Sequence, residues 1–446
     1  MASSVPVVAI AIAVAIAVGG VVPSGDPPDA WAQTVSRILR TSALLHLHPP
    51  RGPTPMRTFA CQVCAQPVYF ENSRCTYCGA TLGFLPERQR LSALEQGEDG
   101  LWRVPQPQPA AAERAAAPLL FARWLGKRPA PAAAPVALTP TAPRAYRKCA
   151  NYAQHEVCNW MVPADSEEAF CLACQPNQII PNLARPGNLD KWYRLERSKR
   201  RLSYGLLRLG LPVHTKAQDP AGGLGFAFLS PQETNPGEPI LTGHANGLIT
   251  INIDEAHAPT REQVRLDMDE RYRTLLGHFR HEIGHYYWDR LIRDGGRLEA
   301  FRALFGDEQR DYGEALDAHH ANGPPADWQA RFVSAYAASH PWEDWSETFA
   351  HYLHIVDTLE TSEHFGVRIE QRLPDGTVQR SDPDFDPYTI DDFQPIIDAW
   401  MPLTFALNSL SRSMGQPDLY PFVLSAPVIE KLVYVHRVVR EGRVRG

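Results

Sequence analysis

Between Gly247 and Asp254 the chain reads GLITINID. Ile249, Ile251 and Ile253 alternate with Thr250 and Asn252, the period of a strand with one apolar face. A turn follows through Pro259, and Thr260 and Gln263 have the spacing of a capping box at a helix start. The segment after it is predicted helical, with Gly277 and Gly284 tolerated inside at a cost of roughly 1 kcal/mol each. Further on, Pro341 suits the first turn of another helix, flanked by the apolar Trp342, Trp345, Phe349 and Leu353. A third helix runs from Asp391-Asp392-Phe393 to Trp400, after which residues 402–425 mix apolar and polar positions without clean periodicity.

The N-terminal part is patterned differently. Val5 to Val22 is almost entirely apolar, which reads as a signal peptide or membrane anchor, although no Lys or Arg precedes it. Pro23 to Pro55 is Pro-rich and cannot bury a core. Met56 opens a segment with a metal knuckle five residues later, so Met56 is expected to be the natural start and residues 1–55 an extension. Gln106 to Arg144 has the Ala/Pro composition of a semi-extended linker, around a short apolar island at Leu119–Leu125. Lys191 to Arg201, KWYRLERSKRR, is a basic helical run. It reads as the solvated face of a helix that buries Trp192, Leu195, Leu202 and Leu206, or as a nucleic-acid patch.

Composition narrows these choices. At 446 residues the chain has room for about three domains. A formal net charge of −6 gives no global case for nucleic acid, which favours the solvated-face reading. The eight cysteines fall into two groups of four. Cys61, Cys64, Cys75 and Cys78 form two C-x-x-C knuckles, the spacing of a zinc ribbon. Cys149, Cys158, Cys171 and Cys174 repeat the set with an irregular first half, in which His155 is a reserve ligand. Free thiolates for metal imply a reducing compartment, the cytoplasm.

The chemistry concentrates in His281-Glu282-Ile283-Gly284-His285. On a helix, residues four apart share a face, so both imidazoles can bind one zinc. Glu282 stands beside them, able to take a proton from an activated water. Zinc held by two histidines needs a third protein ligand and an open fourth position. Trp288 and Leu291 exclude the metzincin extension of this motif. The third ligand is expected in the second helix, from Glu343 or Glu347, which lie one turn apart; His351 or Asp344 would support the latter assignment. His278, one turn before His281, reads as an orienting or surface histidine.

Strand, then H-E-x-x-H helix, then HPWEDWSETFAH resembles the gluzincin branch of the zincin metallopeptidases. With the cysteine groups and residues 402–425, the chain from Met56 onward resembles the bacterial family of zinc-binding metallopeptidases with an N-terminal zinc-ribbon domain. The resemblance implies that Glu343 is the third ligand and that Glu347 hydrogen bonds a ligand histidine from outside. It also implies a transition-state donor near Glu343, for which Tyr336 and His340 are the candidates. The long apolar N-terminus and the expanded Ala/Pro segment depart from the family pattern.

The expected fold is α+β: a zincin-like domain, mostly helical with a small sheet, preceded by two small zinc ribbons. Its boundaries are an extension over 1–55, a zinc ribbon over 56–100, a linker over 101–144, a second ribbon-like module over 145–180 and a metallopeptidase domain over 181–446. The expected cofactors are one catalytic and two structural zinc ions. The expected partner is a peptide or protein substrate, with the ribbons recruiting it. Nucleic acid is not expected, nor a membrane unless the apolar run at Val5–Val22 is a genuine signal. The rival class is a non-catalytic zinc scaffold. Arg412 is expected to bind substrate or to hold its loop.

Overall fold

The computed structural model describes residues 59–105, 144–231, 240, 242–257 and 274–443. The apolar run, the Pro-rich stretch, Met56, the island at Leu119–Leu125 and the capping box at Thr260 lie outside them. All described residues belong to one compact unit, residues 55–446.

The first body is small and built on cysteine knuckles. Strands β1 (Phe59–Ala60) and β2 (Pro67–Val68) form a short antiparallel pair around Cys61 and Cys64. A longer hairpin follows, β3 (Thr81–Leu85) with β4 (Arg90–Gln96). Strand β5 (Trp102–Arg103) pairs with β4 and, through Trp102, with Tyr146 of β6 (Tyr146–Lys148). Helix α1 (Ala150–His155) and β7 (Met161–Pro163) complete a five-stranded sheet of order β3-β4-β5-β6-β7. Both cysteine groups therefore share one core, in which Phe84 packs 4.5 Å from Trp160. The sequence boundary at 101 falls inside this sheet, because a two-residue strand is too short to show a period. Gly83 admits the close packing: a Cβ there would lie 2.5 Å from both Leu94 and Met161.

The second body holds a four-stranded sheet and most of the helices. Strand β8 (Asn177–Ile179) leads into helix α2 (Asn188–Leu209), then β9 (Gly225–Leu229), β10 (Gly243–Ala245) and β11 (Leu248–Asn252). The order is β10-β11-β9-β8, with β8, β9 and β11 parallel and β10 antiparallel at the edge. Ile249 and Ile251 are buried and their neighbours half-buried, as the alternation predicts. A 3₁₀ turn at Ile253–Ala256 ends the strand.

Helix α3 (Leu275–Tyr287) carries the histidines. It opens at Leu275, where the Thr274 hydroxyl accepts the Gly277 N–H at 2.9 Å. A π-helical turn at Trp288–Arg293 closes it. Helices α4 (Leu298–Phe305) and α5 (Tyr312–Asn322) follow, then the long α6 (Pro341–His364), the hairpin β12 (Ile369–Arg372) with β13 (Val378–Ser381), α7 (Gln394–Ser413) and α8 (Ala426–Glu441). Helix α6 is buried along most of its length, with Trp345, Phe349 and Tyr352 in the main core. Burying each such side chain contributes about 1.5–3 kcal/mol.

The basic run on α2 buries Trp192, Leu195, Leu202 and Leu206 as expected. Its cations behave otherwise. Lys199 and Arg200 are almost wholly buried, Lys199 against Glu196 at 2.8 Å and Arg200 against the Val157 carbonyl. Arg201 reaches Glu71. The run fastens the cysteine-bearing body to the helical one. Among the described residues no helix is long and apolar enough to cross a membrane.

Candidate metal centre

Two helices bring the site together. On α3, His278, His281, Glu282 and His285 share one face by their three- and four-residue spacing. On α6, Glu343 and Glu347 face them from one turn apart. The helices approach closely because residue 284 is glycine: a Cβ there would lie 2.6 Å from Ser346 Oγ and 3.0 Å from Ser346 Cα. The gap is also bridged by polar groups. Trp345 Nε1–H donates to the Gly284 carbonyl at 2.9 Å, and the Ser346 hydroxyl donates to the His281 carbonyl. Gly284→Ala is expected to force the helices apart, at a cost of about 1–3 kcal/mol. Urea unfolding of wild type and variant, with zinc content measured on both, checks it; an unchanged midpoint would refute the close-approach argument.

His281 Nε2 and His285 Nε2 face each other at 3.2 Å. Glu343 Oε2 lies 3.0 Å from His281 Nε2, and Glu343 Oε1 lies 3.5 Å from His285 Nε2. Bonds of 2.0–2.1 Å to a tetrahedral zinc put ligand atoms about 3.3 Å apart, so the spacing fits. Although close, Glu343 Oε2 makes no aligned hydrogen bond and is buried. A buried carboxylate oxygen without a donor suits a cation. Burial opposes ionisation of Glu343, but His285 and His281 hold its carboxyl well below the usual range. The donor set and its geometry fit zinc.

Glu347 is spent elsewhere. Its Oε1 accepts His281 Nδ1–H at 2.7 Å, and its Oε2 accepts the Ser334 hydroxyl at 2.6 Å. Burial works against its charge, yet these partners lower its pKa to about 2. Such a partner fixes the tautomer and orientation of a ligand histidine. The groups that could have supported Glu347 as a ligand are committed too. Asp344 pairs with Lys431 at 2.6 Å, and His351 Nδ1 hydrogen bonds the Tyr420 hydroxyl at 2.7 Å.

The two donor candidates separate. His340 does not serve as a donor to the site. It is the N-cap of α6: its Nδ1 accepts the Trp342 N–H at 3.1 Å, and its Nε2–H donates to the Arg310 carbonyl at 3.1 Å. Both ring nitrogens are used. Tyr336 lines the cavity, its ring 5.9 Å from that of His281. Burial, then Glu343, raises its pKa far enough to keep its hydroxyl protonated. Sequence reasoning missed Tyr312, whose hydroxyl donates to Glu343 Oε1 at 2.7 Å, and Ser334.

A cavity of about 560 Å³ opens beside the cluster, lined by Glu282, Trp328, Tyr336, His351, Tyr420 and Phe422 among others. Its far wall is the loop after α7. Arg412 holds that loop through paired contacts of 2.6 Å to Asp418, so of its two expected roles the loop-holding one is observed.

The cysteine groups meet the same geometric test. Cys61–Cys78 and Cys64–Cys75 sulfurs lie 3.7 and 3.6 Å apart, and Cys158–Cys171 sulfurs 3.7 Å. A tetrahedral site with Zn–S of 2.3 Å needs about 3.8 Å. In each group all four sulfurs lie within 4.8 Å of one another, and none of the eight is in a disulfide. The irregular Cys149–Cys158 interval is occupied by α1. His155 packs against Trp192 at 5.7 Å and stays outside the sulfur cluster.

Residues 188–438 match the family described as "Putative zinc-binding metallo-peptidase", and residues 58–116 and 132–185 match a zinc-ribbon domain. An uncharacterized protein of Mycobacterium bovis is 40% identical over 387 residues, spanning 86% of this chain and 96% of its own length. Uncharacterized proteins of Mycobacterium tuberculosis strains CDC 1551 / Oshkosh and H37Rv match at the same identity and coverage. No solved structure matches.

Proposed function

The chain belongs to the family described as "Putative zinc-binding metallo-peptidase", and on that premise we propose that it is a zinc-dependent peptidase with a zincin-like catalytic domain. His281, His285 and Glu343 would hold the catalytic ion, and the two cysteine groups would hold two structural ones. Zinc in such a site polarises a carbonyl and lowers the pKa of a bound water to about 7.

The observation that carries the reading is Glu282 Oε2. It is buried and without a hydrogen-bond partner, on a residue that lines the cavity beside the three-ligand cluster. A carboxylate oxygen left so is costly unless it has work to do. Its role is to take the proton of the attacking water and pass it to the leaving amine. Tyr336 donates its hydroxyl to the carbonyl oxygen as negative charge grows there. Strand β10, beside α3 and at the edge of its sheet among the described residues, is where an extended peptide can add as a further strand. The ribbons recruit protein substrate, and the metal-poised thiolates suit a reducing cytoplasm.

The rival scaffold reading has no use for a buried, unpartnered Glu282. Glu282→Gln is expected to keep its zinc and to lose hydrolysis of a peptide library by roughly 10²–10⁴-fold. Wild type that cleaves nothing at full metal occupancy would hand the case to the scaffold.

A further inference from the structure

Glu282 has two oxygens, and they live in different surroundings. Oε2 has no partner, whereas Oε1 lies 3.3 Å from His278 Nε2. His278 is held from its other side: its Nδ1–H donates to Glu255 Oε2 at 2.6 Å. Glu255 belongs to the 3₁₀ turn that ends β11, and so comes from the sheet rather than from α3. It also receives the hydroxyl of Thr242, whose oxygen accepts the Asn252 N–H at 3.2 Å. A continuous polar chain thus runs from the sheet through Thr242, Glu255 and His278 to one oxygen of Glu282.

We propose that His278, clamped by Glu255, is the positioning residue that locks the Glu282 carboxylate with Oε1 tied and Oε2 offered for proton transfer. The proposal rests on the reading of Glu282 as the proton-transferring group and adds what aims it. A glutamate side chain has several rotatable bonds, and its terminal torsion is broad and nearly two-fold, so either oxygen can point either way. An i,i+4 partner on the same helix would restrain it only weakly. Here the partner is itself fixed from a second element, which converts a mobile helix pair into a three-membered brace.

The sign of the electrostatics agrees with the geometry. Burial favours neutral His278, but Glu255 and then Glu282 raise its pKa to about 9. His278 is thereby held toward its protonated form, which strengthens its attraction for Glu282 Oε1 at 3.3 Å. Among the described residues, the other ionisable groups near Glu282 include His281 and His285 of its own helix, His244 of β10, Tyr312 of α5, and Tyr336 of the cavity wall. None of them contributes a hydrogen bond to Oε2.

The test uses the zinc-loaded full chain and the variants His278→Ala, His278→Gln and Glu255→Gln. Zinc content, kcat and KM on a cleaved library peptide, and crystal structures of the zinc-bound variants are measured. His278→Ala is expected to keep its zinc and KM and to lose kcat by roughly 10–100-fold, the scale seen when an outer partner of a site residue is removed. His278→Gln, which keeps a donor without the charge, recovers part of kcat. Glu255→Gln gives the same direction with a smaller loss. In the His278→Ala crystal the Glu282 carboxylate turns away from its wild-type position. A His278→Ala enzyme with unchanged kcat, or with an unmoved Glu282 carboxylate, overturns the proposal. If wild type cleaves no peptide, the peptidase reading fails by itself, and the position of Glu282 in the variant crystals still decides whether His278 aims it.

Discussion

Glu343→Ala is expected to bind two zinc ions per chain where wild type binds three, with no measurable hydrolysis left. The expectation follows from which carboxylate oxygens are free. Glu343 Oε2 has no hydrogen-bond partner and sits 3.0 Å from His281 Nε2, while both oxygens of Glu347 already accept, from His281 and from Ser334. Removing Glu343 leaves two protein ligands, one fewer than the three that hold a zinc with an open fourth position. It also strands the Tyr312 hydroxyl, which donates to that carboxylate. Removing Glu347 takes away only the brace on His281. Glu347→Gln should therefore keep the third zinc, with affinity weaker by roughly 10–100-fold. Mass spectrometry under native conditions, with elemental analysis beside it, separates the two variants. Three zincs in Glu343→Ala and two in Glu347→Gln would exchange the roles assigned to these residues.

How much of this site could be read from the chain depends on whether sequence distance maps onto spatial distance. It does along a helix. His281, Glu282 and His285 share a face because of the helical repeat alone, and the order within Glu343…Glu347 followed from the family resemblance. The same holds for the cysteine knuckles, where two residues between thiols dictate a tight loop. It fails where a partner arrives from another element. Tyr312 reaches Glu343 across 31 positions, and Glu255 reaches His278 across 23. Nothing in local pattern or spacing marks either residue. His340 was misread as a donor although a signal existed. It stands directly before Pro341, at the position where a side chain accepts the first free N–H groups of a helix, and its ring does so.

The buried cations of α2 teach a related lesson. A run such as KWYRLERSKRR is expected to face water, because desolvating a charge is costly. Lys199 escapes that cost by donating to Glu196 and Asn177, and Arg200 by donating to the Val157 carbonyl. Glu196 lies in the run itself, but Asn177 comes from β8 and Val157 from the cysteine-bearing body, so the run is legible only once the bodies are joined. The sheet that joins the segments of the two cysteine groups was hidden for the same reason, since its central link is one residue pair, Trp102 with Tyr146.

That junction sets the second large effect. Cys158→Ser is expected to destabilise the whole chain, whereas Cys78→Ser loosens one exposed corner. A structural zinc contributes on the order of 10 kcal/mol to a small module, comparable with the 5–15 kcal/mol that holds a typical domain together. The two sites differ in what surrounds them. All four thiols of the 149–174 group are buried, while Cys78 is exposed and Cys64 half-buried. Cys174 Sγ lies 3.9 Å from Glu196 Oε2, and Glu196 accepts hydrogen bonds from Trp192, Lys199 and Asn177 at 2.8–3.1 Å. Loss of this zinc removes the cation that balances buried thiolates beside a buried carboxylate, and the disturbance passes directly into α2. Helix α2 in turn packs in the same core as Phe279 and Ile283 of α3, so the histidine-bearing face loses its backing. Hydrogen exchange on the two variants reads this out: protection falls across residues 188–209 and 275–287 in Cys158→Ser, and only around residues 59–80 in Cys78→Ser. Equal and local losses in both would mean that the two bodies are independent, and would remove the argument that the second cysteine group supports helix α3.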